Sequence, residues 1–151
     1  LSMSVTANLS LPTIGARGAW LDRGHEAASW SRCRDQLGIR AASGNVAVGT
    51  LSGGNQQKVV LGKWLLAGPK VLLLDEPTRG VDVGARSEIH QRLHDLAGTG
   101  VAVLFASSEL DEVRALADRV LVLCGGAVVG ELPGSAADER SILALATGVV
   151  R

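Results

Sequence analysis

Three apolar runs, Val71 to Leu74, Val101 to Ala106 and Val120 to Leu123, limit what this chain can fold into more than any other feature. Between the first two lies a segment of helical pattern, about Gly84 to Leu96, and between the second and third a shorter one near Leu110 to Ala117. Strand, helix and strand in that order are the pattern of a βαβ unit. The runs are continuously apolar rather than alternating, which predicts a parallel sheet covered on both faces. After Cys124, Gly125-Gly126 suits a two-residue hairpin returning through Val128 and Val129, an antiparallel edge. Pro133-Gly134 then breaks the chain before an amphipathic helix over about Asp138 to Ala146.

The first fifty residues contain no comparable run. A helix from about His25 to Leu37, with Trp20 and Trp30 nearby, predicts a small helical subdomain. The small, apolar-poor stretch 40–50 marks a junction, giving a helical part, residues 1–50, and an α/β part, residues 51–151. With 151 residues, 46% of them hydrophobic, the chain can bury one core of ordinary size. Lys plus Arg and Asp plus Glu both total 15, so no basic field draws in nucleic acid or an anionic membrane, and no nucleic-acid partner is expected. Cys33 and Cys124 have no metal-ligand spacing and read as small core hydrophobes in a reducing compartment. His90 and His94, four apart on the helix after the first strand, lack a third zinc ligand nearby. No apolar run approaches the roughly 20 residues that cross a bilayer, and no signal-peptide order is seen, so a soluble cytoplasmic protein is expected. The chain begins at Leu1 rather than methionine, from which a piece of a longer protein is expected.

Two segments carry chemistry. In Val71-Leu72-Leu73-Leu74-Asp75-Glu76-Pro77-Thr78, two carboxylates stand at the carboxyl end of a strand, where open α/β sheets place their ligands. Alternation along a strand would turn them to opposite sides, Asp75 toward a Mg²⁺ ion through water and Glu76 toward a water poised for in-line attack. The bland reading of an acidic pair here is a turn and a helix cap. In Leu51-Ser52-Gly53-Gly54-Asn55-Gln56-Gln57-Lys58, Ser52 suits a helix N-cap, and the two glycines let an anion approach backbone N–H groups with no Cβ in the way. On this reading a bulky residue at Gly54 hinders the phosphate and leaves fold stability largely intact. The bland reading is a capped helix with a Gly-rich entry.

The two segments together resemble the nucleotide-binding cassettes of ABC transporters, in which LSGG is the signature motif and LLLDEP the Walker B motif. The wording LSGGNQQKVVLGKWL followed by DEPTRGVDVGA is similar to the second cassette of the tandem-cassette ATPases that drive bacterial monosaccharide importers of the ribose, galactose and xylose type. The resemblance runs from about residue 3 to residue 147. It implies a partial P-loop NTPase fold, a mostly parallel sheet flanked by helices with a small helical subdomain, and an ATPase that couples ATP binding and hydrolysis to sugar uptake. It also implies that Ser52, Gly53, Gly54, Asn55 and Gln56 touch the γ-phosphate of ATP held by an opposing cassette. Asp75 then serves Mg²⁺, Glu76 is the catalytic base, and Gly80-Val81-Asp82 lies where the D-loop crosses the cassette interface. The region from about Ser4 to Ala47 would face membrane-spanning subunits. The implied cofactors are ATP and Mg²⁺, shared with residues outside this chain. The implied partners are another cassette, in trans or in the same longer chain, permease subunits and, indirectly, a periplasmic or lipid-anchored sugar-binding protein, all at the inner face of the cell membrane.

The general cassette pattern has a histidine after the strand that follows Walker B, and here Ser108 stands at that place. Ser108 can donate a hydrogen bond but cannot carry positive charge, which sets the hydrolytic competence of this half-site in question. A Walker A loop, GxxxxGK[ST], is also missing: the nearest stretch, Gly44 to Thr50, lacks the lysine and follows no strand. The chain alone is therefore expected to be inactive. Two other functions compete, a non-catalytic cassette that supports assembly and a cassette of a soluble protein acting on DNA or the ribosome. The second usually carries coiled coils or basic insertions, which are absent between Ser10 and Leu51.

Overall fold

The computed structural model describes residues 2–13 and 23–148; Trp20 lies outside them. The chain forms two compact units, Leu1–Leu104 and Phe105–Arg151.

The first unit opens with α1 (Val5–Ser10), capped by the Ser4 hydroxyl, which accepts from the Ala7 N–H at 3.2 Å. Val5 and Leu9 on this short helix have no exposed surface. α2 (Arg23–Leu37) and α3 (Gly53–Leu65) pack with it, and Cys33, Leu37, Val59 and Leu61 fill the space between. The stretch before α3 clasps α1: the N–H of Val5 donates to Val46 O at 3.0 Å, that of Thr6 to Gly44 O at 2.9 Å, and that of Val48 to Met3 O at 3.0 Å. A Cβ on Gly44 would lie 2.2 Å from Thr6 Oγ1. That glycine is there for internal packing, and the stretch from Gly44 to Thr50 is a brace with its backbone engaged, not a phosphate cradle.

β1 (Val71–Asp75) and β2 (Ala102–Ala106) are neighbours in one two-stranded sheet, joined in chain order by α4 (Val83–Gly98). The described residues cover only part of the faces of these strands. Leu72 is 4% exposed, whereas Val71, Leu73 and Leu104 are 57%, 70% and 58% exposed.

The second unit contains α5 (Leu110–Leu116), β3 (Arg119–Cys124), β4 (Ala127–Pro133) and α6 (Glu139–Thr147). β3 and β4 pair antiparallel through the expected turn, with a register irregularity between Val122 and Leu123. Gly125 and Gly126 take φ of 56° and 81°, the left-handed pair that such a tight hairpin requires. α6, capped by Asp138 accepting from the Ser141 N–H at 2.7 Å, lays Ile142, Leu145 and Ala146 over Val120, Val122 and Ala137. Of the two cysteines, Cys33 is the core hydrophobe expected, but Cys124 is exposed, because it ends β3 at the hairpin, beyond the reach of α6. Among the described residues no helix is long and apolar enough to cross a membrane.

Candidate functional site: the entrance to the signature helix

The N-terminus of α3 is built from its own side chains. Ser52 occupies the cap position with extended backbone, yet its side chain accepts no first-turn N–H. Instead its Oγ accepts from Asn55 Nδ2 at 2.9 Å. Asn55 Oδ1 in turn accepts the Arg40 N–H at 2.7 Å, and Gln56 Nε2 donates to Leu51 O at 2.8 Å. The polar side chains of the motif thus hold the loop in shape. The first-turn N–H groups have no partner within the helix, and with Oγ already accepting from Asn55 the Ser52 hydroxyl proton can point outward. Ser52 and Gly53 are exposed, so the end presents donors to an anion with the helix dipole behind them.

The glycines serve a second purpose that the sequence reading missed. A Cβ on Gly54 would lie 2.6 Å from Ala85 Cβ and 3.4 Å from Val81 Cγ1, and one on Gly53 would lie 3.2 Å from the Gly80 carbonyl oxygen. Gly54 is buried. Its missing side chain makes room for α4, a contact that the expectation of intact fold stability on adding bulk here did not take into account. Asp82, expected at an interface, caps α4, accepting the Ala85 N–H at 2.9 Å. The structure thus brings Ser52, Gly53, Gly54, Asn55, Gln56 and Asp82 together at the meeting of two helix N-termini.

A second contact fastens the same helices one turn further on. Lys58, 3% exposed, donates from Nζ to the Glu88 carboxylate and, at 3.2 Å, to Gly38 O. Glu88 also accepts from Arg40 Nη2 at 3.3 Å. The Lys58 ammonium holds the Glu88 carboxyl below its ordinary range. Sequence reasoning overlooked this pair, although a signal was present: Lys58 falls on the stripe of α3 shared by Gly54, Leu61 and Gly62, all buried, and a lysine there needs a partner. Burial pushes the Cys33 thiol up to about 11, so this cysteine is inert as a nucleophile.

Asp75 ends β1 and is exposed; Glu76 is half-buried. The alternation expected of the pair does not apply, because Glu76 has left the strand. Its φ is 48°, the only positive value at a non-glycine among the described residues, and its carbonyl accepts the Arg79 N–H at 3.2 Å in a turn. A glutamate in the left-handed region is uncommon and costs about 1–3 kcal/mol, strain that gathers at functional sites. The turn takes Glu76 out of the strand's alternation, a result period-two reasoning cannot foresee. Among the described residues no three His, Cys, Asp or Glu side chains cluster as a complete metal site, so Asp75 fits a Mg²⁺ ion only as one ligand, direct or through water. Ser108 lies in the second unit, exposed, in the turn where the Ser107 hydroxyl accepts the Glu109 N–H at 3.0 Å ahead of α5.

Comparison with known proteins places these features in context. Residues 2–79 match the model of the family described as ABC transporter. The ribose import ATP-binding protein RbsA 1 of Streptomyces avermitilis is 51% identical over 148 residues, 97% of this chain and 28% of that protein. The xylose import ATP-binding protein XylG of Moorella thermoacetica is 45% identical over 149 residues, 98% of this chain and 30% of that protein. The chain therefore spans about three tenths of the length of the curated relatives it matches. Among solved structures, the ATP-binding cassette MJ0796, a dimer in a post-hydrolysis state bound to ADP and Pi, superposes with a TM-score of 0.76 at 24% identity, over 87% of this chain and 56% of that one. A nucleotide-free ATP-binding cassette from an ABC transporter superposes with a TM-score of 0.78 at 22% identity, over 95% of this chain and 60% of that one.

Proposed function

Since the chain belongs to the ABC transporter family and carries part of the ATP-binding cassette fold of P-loop NTPases, we propose that it works as the signature-side portion of a cassette that powers monosaccharide uptake. One observation carries this reading: the segment LSGGNQQK folds as an exposed helix N-terminus whose first-turn N–H groups the Ser52 side chain does not cap, its Oγ being engaged by Asn55 instead. Such an end suits a γ-phosphate delivered by another cassette. Ser52, Gly53 and Asn55 would bind and orient that phosphate, while Gln56, Gly54 and Asp82 keep the end in place.

Asp75 would hold Mg²⁺, which when bound neutralises charge on the phosphates. Glu76, displaced from the strand by its turn, would orient and deprotonate the attacking water. Residues 1–50 would form the helical subdomain on the signature side and residues 51–151 the Walker B half of the core. The working partners are a second cassette, permease subunits and, through them, a sugar-binding protein outside the cell, which puts the chain on the cytoplasmic face of the membrane. A second reading, a cassette that binds ATP but turns it over slowly and chiefly supports assembly, is favoured by Ser108, which cannot supply the positive charge of a histidine.

The test is a graft. This chain replaces the matching 148 residues of the Streptomyces avermitilis ribose import protein, and ribose uptake is measured in a strain lacking the native gene. Uptake within several-fold of the parent, lost with Glu76→Gln, is expected. A graft that folds and reaches the membrane but supports no uptake refutes the proposal.

A further inference from the structure

Ser52 stands at the N-cap of α3 and makes no capping bond, and the cause lies outside the helix. A serine there ordinarily accepts the N–H of the second or third helical residue, here Gly54 or Asn55. Instead Ser52 Oγ accepts from Asn55 Nδ2 at 2.9 Å. Which end of the Asn55 amide faces Ser52 is decided at its other end, where Oδ1 accepts the Arg40 N–H at 2.7 Å. A main-chain N–H can only donate, so the amide oxygen must face Arg40 and the NH₂ must face Ser52. A hydroxyl that already accepts keeps its proton for an outside acceptor. Turned the other way, the amide oxygen would take that proton and leave Ser52 presenting lone pairs to an incoming anion.

The Arg40 N–H is itself held in place. α2 is followed by Gly38, whose φ of 61° turns the chain, and the Ile39 N–H closes the helix end on Arg34 O at 3.1 Å. Ile39 is 3% exposed, and the buried Lys58 ammonium donates to Gly38 O at 3.2 Å. The Arg40 guanidinium also reaches Glu88 at 3.3 Å, but its side chain is 80% exposed, so this pair adds little. The grip is therefore on residues 38 and 39, and it aims the next N–H at Asn55.

We infer that Arg40 is a positioning residue for the signature end, acting through its main-chain N–H: it orients the Asn55 amide, which draws Ser52 away from capping α3 and keeps the Ser52 hydroxyl a donor. The ligand this favours offers acceptors only, as an ionised phosphate does. The inference rests on reading the α3 N-terminus as a phosphate contact. It goes further in naming what sets the polarity of that contact, a group outside the motif.

The test has two arms. Amide hydrogen exchange of the chain by itself, followed by NMR, reads the relay without nucleotide. In Asn55→Ala the Arg40 N–H should exchange about tenfold faster or more, and the N–H of residue 54 or 55 more slowly, as Ser52 returns to capping. The second arm uses the grafted importer. There Ser52→Ala should raise the Mg-ATP concentration at half-maximal hydrolysis about tenfold or more, the scale of one hydrogen bond to a charged group. In Asn55→Asp the carboxylate accepts both from Arg40 and from the Ser52 hydroxyl, so adding Ser52→Ala should cost less than about twofold. Arg40→Ala keeps the N–H and should keep the full effect of Ser52→Ala, whereas Arg40→Pro deletes the N–H and should abolish it. A carboxylate in the first turn of a helix is favourable, so the unfolding midpoint of Asn55→Asp should not fall, which separates lost polarity from lost folding. The expected exchange in a chain whose graft hydrolyses nothing upholds the relay and overturns the cassette reading. Unchanged exchange at Arg40, or an equal effect of Ser52→Ala in the parent and in Asn55→Asp, overturns the inference.

Discussion

Replacing Gly54 by alanine separates the two purposes a signature glycine can serve. If the residue is small only to admit a phosphate, one methyl group leaves the free chain as stable as before. The geometry says otherwise. The new Cβ would sit 2.6 Å from Ala85 Cβ, about 0.9 Å short of the ~3.5 Å at which carbon atoms rest in contact. Both methyls are fixed to helical backbone, so no rotamer relieves the clash and α3 must draw away from α4. Overpacking of this kind costs about 1–3 kcal/mol, while alanine's better helix propensity returns up to about 1 kcal/mol, less in a first turn. A net loss of about 1–2 kcal/mol follows, roughly 2–8 °C in the unfolding midpoint for a chain of this size.

The assay is urea and thermal unfolding of Gly54→Ala, Ala85→Gly and the double variant. Ala85→Gly alone loses about 0.5–1 kcal/mol of helix preference. In the double variant the clash is gone, so the two changes should be coupled by about 1–2 kcal/mol in the stabilising direction. If Gly54→Ala unfolds with the parent and Ala85→Gly gives no rescue, the packing account is wrong and the glycine exists for the phosphate alone.

Three further outcomes are expected. In the grafted importer, Glu76→Gln should leave ATP binding intact and slow hydrolysis by about 10² or more; unchanged turnover in a steady-state phosphate assay removes Glu76 from the base role. The Glu88 carboxyl is held low by the hydrogen bond from Lys58, then by its charge. That stability is therefore present above the ordinary carboxylate range and lost as pH falls through the depressed value, a loss that Glu88→Gln should shrink in unfolding measured below pH ~4.5; Asp138, held low by the Ser141 N–H, keeps part of the slope with the same sign. The chain by itself should bind Mg-ATP no better than millimolar and release no phosphate, since phosphoryl transfer depends on a phosphate cradle and lysine that its sequence lacks; micromolar binding by calorimetry would mean that a loop of this chain is a working cradle.

Much of the fold was legible in the residues. The apolar runs marked β1, β2 and β3, Gly125-Gly126 marked the hairpin, and Asp138 marked the start of α6, because strand composition, turn chemistry and capping are local properties. What escaped was set by neighbours distant in sequence. Gly54 lies closely against Ala85, and Lys58 is buried where Glu88 and Gly38 receive it. Cys124 is exposed because α6 stops short of the hairpin, and Leu73 is exposed because nothing in the described residues covers it. Within the site, the residue types were legible and their local contacts were not: Asn55 and Gln56 hold the loop, Asp82 caps a helix, and Glu76 sits in a strained turn.

The contacts between α3 and α4 also bear on how such a part transmits force. Gly54 against Ala85 is steric and Lys58 to Glu88 is ionic, and they fall on successive turns of both helices. A steric stop fixes how closely the helices approach. The ion pair resists their separation, because a buried ammonium that loses its carboxylate is left with the Gly38 carbonyl alone, a loss of about 1–3 kcal/mol. Helices held by both cannot slide or part at one end without straining the other. A displacement imposed on the exposed N-terminus of α3 is therefore passed to Asp82 and the body of α4 as a rigid movement. Glu88→Ala, which keeps the steric stop and removes the tie, should accordingly speed amide hydrogen exchange at the start of both α3 and α4. Faster exchange in one helix alone would show that the two move independently.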